Sequence, residues 1–289
     1  MRRFAYERPS SLAEATEVLA ALGDEARVLA GGTDLVVGLR DGSLEPAVVV
    51  DVKWIEELAG ETIESAGDSL RFGALATMGQ IERDARVLEQ LPALAEAARV
   101  VGSVQIRNRA TLAGNICNGS PAADTVPPLL VHGAVVQVAG PDGERSTPVD
   151  DFIVGPKQVD LAAGELVTAI DVPIPAPGFA AAYTRLVRRR GTDLASVTMC
   201  ASVDAGDRVQ LAYGSVGPRA FLVADDSGVL VAPDGSPDAK AAVLDRLLDQ
   251  ATPSPRSIRA SPDYRLAMLP VLARRVIDAA VERRAARVV

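Results

Sequence analysis

The sequence predicts an α+β chain of two domains. Its 289 residues exceed one average domain and fall short of three. Helix-like and strand-like segments alternate as far as VPIPAPGFA, where three prolines and a glycine mark a boundary. Beyond it, VTMCASVDA and RVQLAYGSV read as an antiparallel pair, followed by an Asp/Ser/Gly/Pro-rich loop and two helices.

The elements follow from local signals. Ser11 with Glu14 three residues later is a capping-box signature, and Leu12, Ala15, Leu19 and Leu22 recur at helical spacing until Gly23 stops them. ARVLA reads as a strand, GGTD as a turn, LVVGLR as one or two helical turns and PAVVVDV as a buried strand. SLRFGAL is strand-like, Thr77 and Gln80 form a second capping box, and a Leu/Ala-rich helix is expected through LPALAEAAR. Ser103 to Asp124 reads as a long polar loop, and long ordered loops are usually functional. AVVQV and ELVTAIDV complete the strands of the first domain. In the last helix, Tyr264 to Val288, the stripe Leu266, Leu269, Leu272, Val276 and Ala280 fits ordinary core or a docking face.

Composition narrows the function. A formal charge of −8 argues against general nucleic-acid affinity. Two cysteines, Cys117 and Cys200, supply neither a four-thiolate cluster nor a zinc site, and no metal site is expected. The first residues lack an apolar signal core, and no apolar run approaches the roughly 20 residues of a membrane span, so a cytoplasmic chain is expected.

Two segments carry candidate chemistry. In Ala30, Gly31, Gly32, Thr33, Asp34 and Leu35, glycines after a strand let backbone N–H groups approach a phosphate, and the next helix offers its positive end. The plainer reading is a strand-to-helix turn in which Thr33 or Asp34 caps the helix. It is not the G-x-G-x-x-G fingerprint, so no Rossmann fold follows. In Thr111 to Asp124, Gly114 and Gly119 free the backbone, Thr111, Asn115, Asn118 and Ser120 offer neutral donors, and Asp124 offers an acceptor. That set suits a pyrophosphate and a ribose or ribityl hydroxyl; a loop tied together by its own asparagines is the alternative.

AGGTDL, QIRNRATLAGNICNGSPAADTVPPLL, RRRGTDLASV and RASPDYRLAMLPVLARR occur in the order found in one family. With these motifs the chain resembles the FAD-binding medium subunits of the xanthine dehydrogenase and carbon monoxide dehydrogenase family, over nearly its whole length. The resemblance implies a fold like that of vanillyl-alcohol oxidase (PCMH-type): a FAD-binding domain over 1–175, with subdomains of about 1–57 and 58–175, and a C-terminal domain over 178–289 with a three-stranded sheet and helices. It implies that Leu29 to Leu35 wrap the pyrophosphate of a noncovalent FAD, that Thr111, Ala113, Gly114 and Asn115 form a second phosphate loop joined by Ser120, and that Asp124 holds a cofactor hydroxyl. Val101 and Thr168 fall at backbone or apolar flavin contacts. Arg185 replaces a lysine found near the flavin in many relatives, and a guanidinium is not a simple substitute for a point charge. Ala113 stands where a second glycine is usual, which would strain the loop if that position needs positive φ.

The same resemblance implies partners: a large molybdopterin subunit, a small [2Fe-2S] subunit and a dimer of heterotrimers, with the electron acceptor open among NAD, quinones, cytochromes and oxygen. No residue of this chain is expected to act as an acid–base catalyst. Covalent flavin attachment would have to use His132 or Cys117, and His132, within LLVHGA, reads instead as a core histidine. Two rival readings are a self-contained flavin oxidase or reductase of this fold, and a flavin-free scaffold hinted at by Ala113 alone.

Overall fold

The computed structural model describes residues 2–288. The chain opens with β1 (Ala5–Glu7), α1 (Leu12–Leu22), β2 (Ala26–Leu29), α2 (Leu35–Asp41) and β3 (Val48–Asp51), and β3 lies between the other two strands in a parallel sheet. All of β3 is buried, because the middle strand of a parallel sheet is covered on both faces. Ser11 caps α1 by accepting from the Glu14 N–H, while the Glu14 carboxylate turns to the N–H of Ser10.

A second, antiparallel unit follows. β4 (Ile63–Ala66) and β5 (Ser69–Gly73) form a hairpin, and then come α3 (Met78–Ile81), α4 (Ala85–Gln90) and α5 (Pro92–Arg99). The Leu/Ala-rich helix expected through LPALAEAAR is α5, and two short helices, α3 and α4, precede it. Asp84 starts α4 by capping the N–H groups of Arg86 and Val87, and Pro92 cannot continue it. The segment expected as a loop contains α6 (Val104–Arg107) and α7 (Leu112–Cys117), capped by the hydroxyls of Ser103 and Thr111. Then α8 (Val126–Val131), β6 (Val135–Gly140), β7 (Gly143–Pro148), α9 (Val149–Phe152), β8 (Ile153–Gly155), β9 (Gln158–Val159) and β10 (Leu166–Pro173) complete the unit, with sheet order β4-β5-β10-β6-β7.

The third unit is an antiparallel meander of β11 (Ala180–Leu186), β12 (Val197–Val203), β13 (Val209–Gly214) and β14 (Phe221–Asp225), followed by α10 (Pro237–Leu248) and α11 (Pro262–Val288). Four strands stand where three were expected. FLVAD continues the meander as an edge strand, its register running from Tyr213↔Phe221 to Val209↔Asp225. One sheet face, with Met199, Leu211 and Tyr213, packs on α10 and α11. The other, with Ala181, Cys200 and Ala212, joins the core of the preceding units. Leu269, Leu272, Val276 and Ala280 of α11 are buried, so that stripe is core, whereas Leu266 is exposed. Glu96 of α5 clamps the units together, accepting from the Tyr183 N–H at 3.1 Å and pairing with Arg283 of α11. No described helix is long and apolar enough to cross a membrane.

His132 ends α8 as a buried residue, its ring 5.3 Å from that of Phe179 and its Nε2 without a partner. Burial, with a smaller push from Arg287, lowers its pKa from 6.5 to about 4. Between those values the unfolded chain binds a proton that the folded chain refuses. The stability this confers is present at neutral pH and is lost as pH falls from 6.5 toward 4, by up to about 3 kcal/mol. Urea unfolding at a series of pH values should show that slope, and His132→Leu should flatten it.

Candidate cofactor-binding site

Two loops meet at the site. The first runs from the end of β2 into α2, and the second from α6 through α7. A Cβ built on Gly31 would lie 2.1 Å from the Arg109 carbonyl oxygen, so the two backbones touch there with no room for a side chain. Gly32 follows at φ +75°, a left-handed conformation that turns the chain into α2. Among the described residues, none of the amides of Gly31, Gly32, Thr33, Asp34 and Leu35 donates a backbone hydrogen bond. Five successive N–H groups without a partner, at the start of a helix, form a nest for an anion. Asp34 occupies the N-cap position of α2 but makes no side-chain cap bond, so the plain capping reading of GGTD does not hold.

The second loop is tied to the sheet domain. Thr111 bridges Thr77 and is nearly fully buried, with its Oγ accepting from the Gly114 N–H at 3.0 Å. Ala113 lies inside α7 with its methyl in the core, and it is not among the residues of positive φ. The strain considered for a non-glycine residue there is absent, and with it the hint of a flavin-free scaffold. Asn115 accepts from the Thr125 hydroxyl at 2.6 Å, and Ser120 accepts from the Ala122 N–H. Asn118 donates to the Asp34 carboxylate at 3.3 Å and so joins the loops directly.

Asp124 is buried beneath them. It accepts from the Tyr183 hydroxyl at 2.6 Å and pairs with Arg185 at 3.2 Å. Burial raises its pKa, and the bonds from Tyr183 and Arg185 act the other way. Burial and the neighbouring Asp124 push the Tyr183 phenol well above its usual range, so it stays a proton donor. Arg185 also donates to the Asp193 carbonyl, which anchors the RRRGTDL turn to this cluster. The guanidinium is thus engaged with Asp124.

Val101 and Thr168 border the loops from other elements. Val101 packs on the core beside Gly102, just before α6. Thr168 sits where the register of β10 shifts, its carbonyl accepting from Ala74 N–H and its hydroxyl donating to Gln137. Such bulges re-aim residues next to sites. Cys117 is a neutral thiol, its pKa pushed up to about 12 by burial. Tyr183 was not singled out from sequence, although strand alternation places it on the same face as Arg185, two residues on. Lys157, between β8 and β9, had no comparable signal.

An amide nest pressed against a second loop, with the buried Asp124 acceptor at the end of that loop's segment, defines a nucleotide-cofactor-binding protein, and the donor set fits the pyrophosphate and hydroxyls of FAD. Residues 2–175 match the family model described as "FAD binding domain in molybdopterin dehydrogenase", and residues 181–280 match "CO dehydrogenase flavoprotein C-terminal domain". The chain is 31% identical over 281 residues to the xanthine dehydrogenase FAD-binding subunit of Escherichia coli O157:H7, covering 96% of this chain and 95% of that one. It is also 31% identical to the carbon monoxide dehydrogenase medium chain of Hydrogenophaga pseudoflava, covering 96% and 97%. A solved structure of carbon monoxide dehydrogenase from Hydrogenophaga pseudoflava superposes with a TM-score of 0.89 at 30% identity, covering 98% of each chain. The chain belongs to the xanthine and carbon monoxide dehydrogenase family, as an FAD-binding medium subunit of an oxidoreductase.

Proposed function

We propose that this chain is the FAD-binding electron-transfer subunit of a heterotrimeric molybdenum hydroxylase. It takes single electrons from the [2Fe-2S] clusters of a small subunit, while a large molybdopterin subunit oxidises the substrate, and an external acceptor such as NAD receives the electrons. The trimers pair into a dimer in the cytoplasm. Residues 1–175, in subdomains of about 1–57 and 58–175, hold the cofactor, and 178–289 close over it. The observation that carries this reading is the nest of five unpaired amides from Gly31 to Leu35, held against the second loop at Arg109.

Bound FAD supplies the redox chemistry. The chain's own residues position it: Leu29 to Leu35 and Thr111 to Asn115 receive the pyrophosphate, Ser120 and Asp124 receive hydroxyls, and Val101 and Thr168 flank the ring. Arg185 and Tyr183 hold the Asp124 carboxylate in place. No residue is assigned as an acid–base catalyst, and the protein acts by orientation and electrostatics.

The test is reduction of the flavin within the assembled complex. Adding the partner's substrate should bleach the flavin absorption band in the complex and leave it unchanged in this chain alone. Bleaching in the isolated chain would instead identify a self-contained flavin enzyme.

A further inference from the structure

Lys157 lies outside the two loops and the Asp124 cluster. It sits at the tip of the β8–β9 hairpin with φ +61°, a left-handed backbone that few non-glycine residues adopt. The hairpin is pressed onto the second loop. The Lys157 N–H donates to the Gly119 carbonyl at 2.7 Å, and a Cβ on Gly119 would come within 3.0 Å of Lys157 Cα. Its ammonium donates to Asn118 Oδ1 at 2.6 Å, and the Asn118 amide in turn reaches Asp34. A single chain of contacts therefore runs from the hairpin through the second loop to the amide nest of the first.

Charge gives this chain of contacts a purpose. Asp34 and Asp124 are acids of the site, and Asp124 is already matched by Arg185. A pyrophosphate brings further negative charge to a cradle whose amides offer only dipoles. Arg109, exposed on the second loop, approaches the nest through its backbone carbonyl. Lys157 is the exposed cation whose ammonium is already hydrogen-bonded to the residue joining both loops.

We propose that Lys157 is a further cofactor-binding residue, its ammonium leaving the neutral Asn118 carbonyl for the FAD pyrophosphate. The inference rests on the FAD-binding reading. It is tested by titrating FAD into the flavin-free full chain and following flavin fluorescence at low and high salt. Lys157→Gln and Lys157→Gly should each raise Kd about tenfold at low salt, as expected for losing one charge-assisted hydrogen bond. The gap should narrow near 1 M salt, where screening acts within about 3 Å. Lys157→Arg should stay within about threefold of the parent. Glycine accepts φ +61° without strain, so the melting temperature of flavin-free Lys157→Gly should match the parent and separate loss of charge from loss of fold. Variants that bind FAD as the parent does, or a loss equal at both salt concentrations, would overturn the proposal. A parent chain that binds no FAD would overturn the FAD reading itself.

Discussion

Gly31→Ala is expected to lower the affinity for FAD by about 100-fold or more. The added methyl would sit 2.1 Å from the Arg109 carbonyl oxygen and 2.8 Å from its carbon. Both are backbone atoms, so no rotamer change relieves the overlap. Reaching an ordinary contact of about 3.4 Å requires the loops to separate by about 1 Å, and a shift of that size at a positioned site costs roughly two orders of magnitude. The nest of amides lies on the moving segment, which is why binding suffers more than folding. Isothermal titration with FAD measures it, and Gly60→Ala, where a Cβ meets nothing within 4 Å, serves as the neutral comparison. Wild-type affinity in Gly31→Ala would show that the loops need not touch.

Asp124→Ala is expected to destabilise the chain by about 3–5 kcal/mol, the usual cost of breaking a buried ion pair from one side. The Arg185 side chain, 11% exposed, would be left without a carboxylate, and the Tyr183 hydroxyl would lose its acceptor. Asp124→Asn keeps an oxygen for Tyr183 and should cost less. The double variant Asp124→Ala/Arg185→Met should be more stable than Asp124→Ala alone, because it removes the stranded charge along with its partner. Denaturant unfolding of the flavin-free chain measures all three. A double variant less stable than Asp124→Ala would mean that the Arg185 bond to the Asp193 carbonyl, not its pairing with Asp124, is what stabilises the cluster.

The parts legible in sequence were those with local physical causes. The caps at Ser11 and Thr77 and the buried run of β3 each follow from a few neighbouring residues. The turn at Gly31 was legible, with phosphate binding among its readings, but the contact that demands a glycine was not, because it comes from Arg109, far along the chain. The short helix α4 was not legible, because the Asp84 cap that starts it acts on only two N–H groups. The strand β14 is not legible in sequence, because its partner, β13, supplies the pairing that a short run cannot show alone. The site shows the same limit: Asp124 could be named from its motif, but its bonds to Tyr183 and Arg185 depend on the third unit folding back over the second. Ala113 illustrates the converse. The missing glycine looked costly in sequence but brings no backbone strain, because the position is helical and the methyl fills core.

FAD binding by this chain is tested most directly by the flavin content of the purified chain, read from its visible spectrum and by chromatography after acid release. One FAD per chain is expected, released by acid because neither Cys117, a partly buried neutral thiol, nor His132, buried and neutral, is poised to attach it. A colourless chain that also fails to take up added FAD would contradict this expectation.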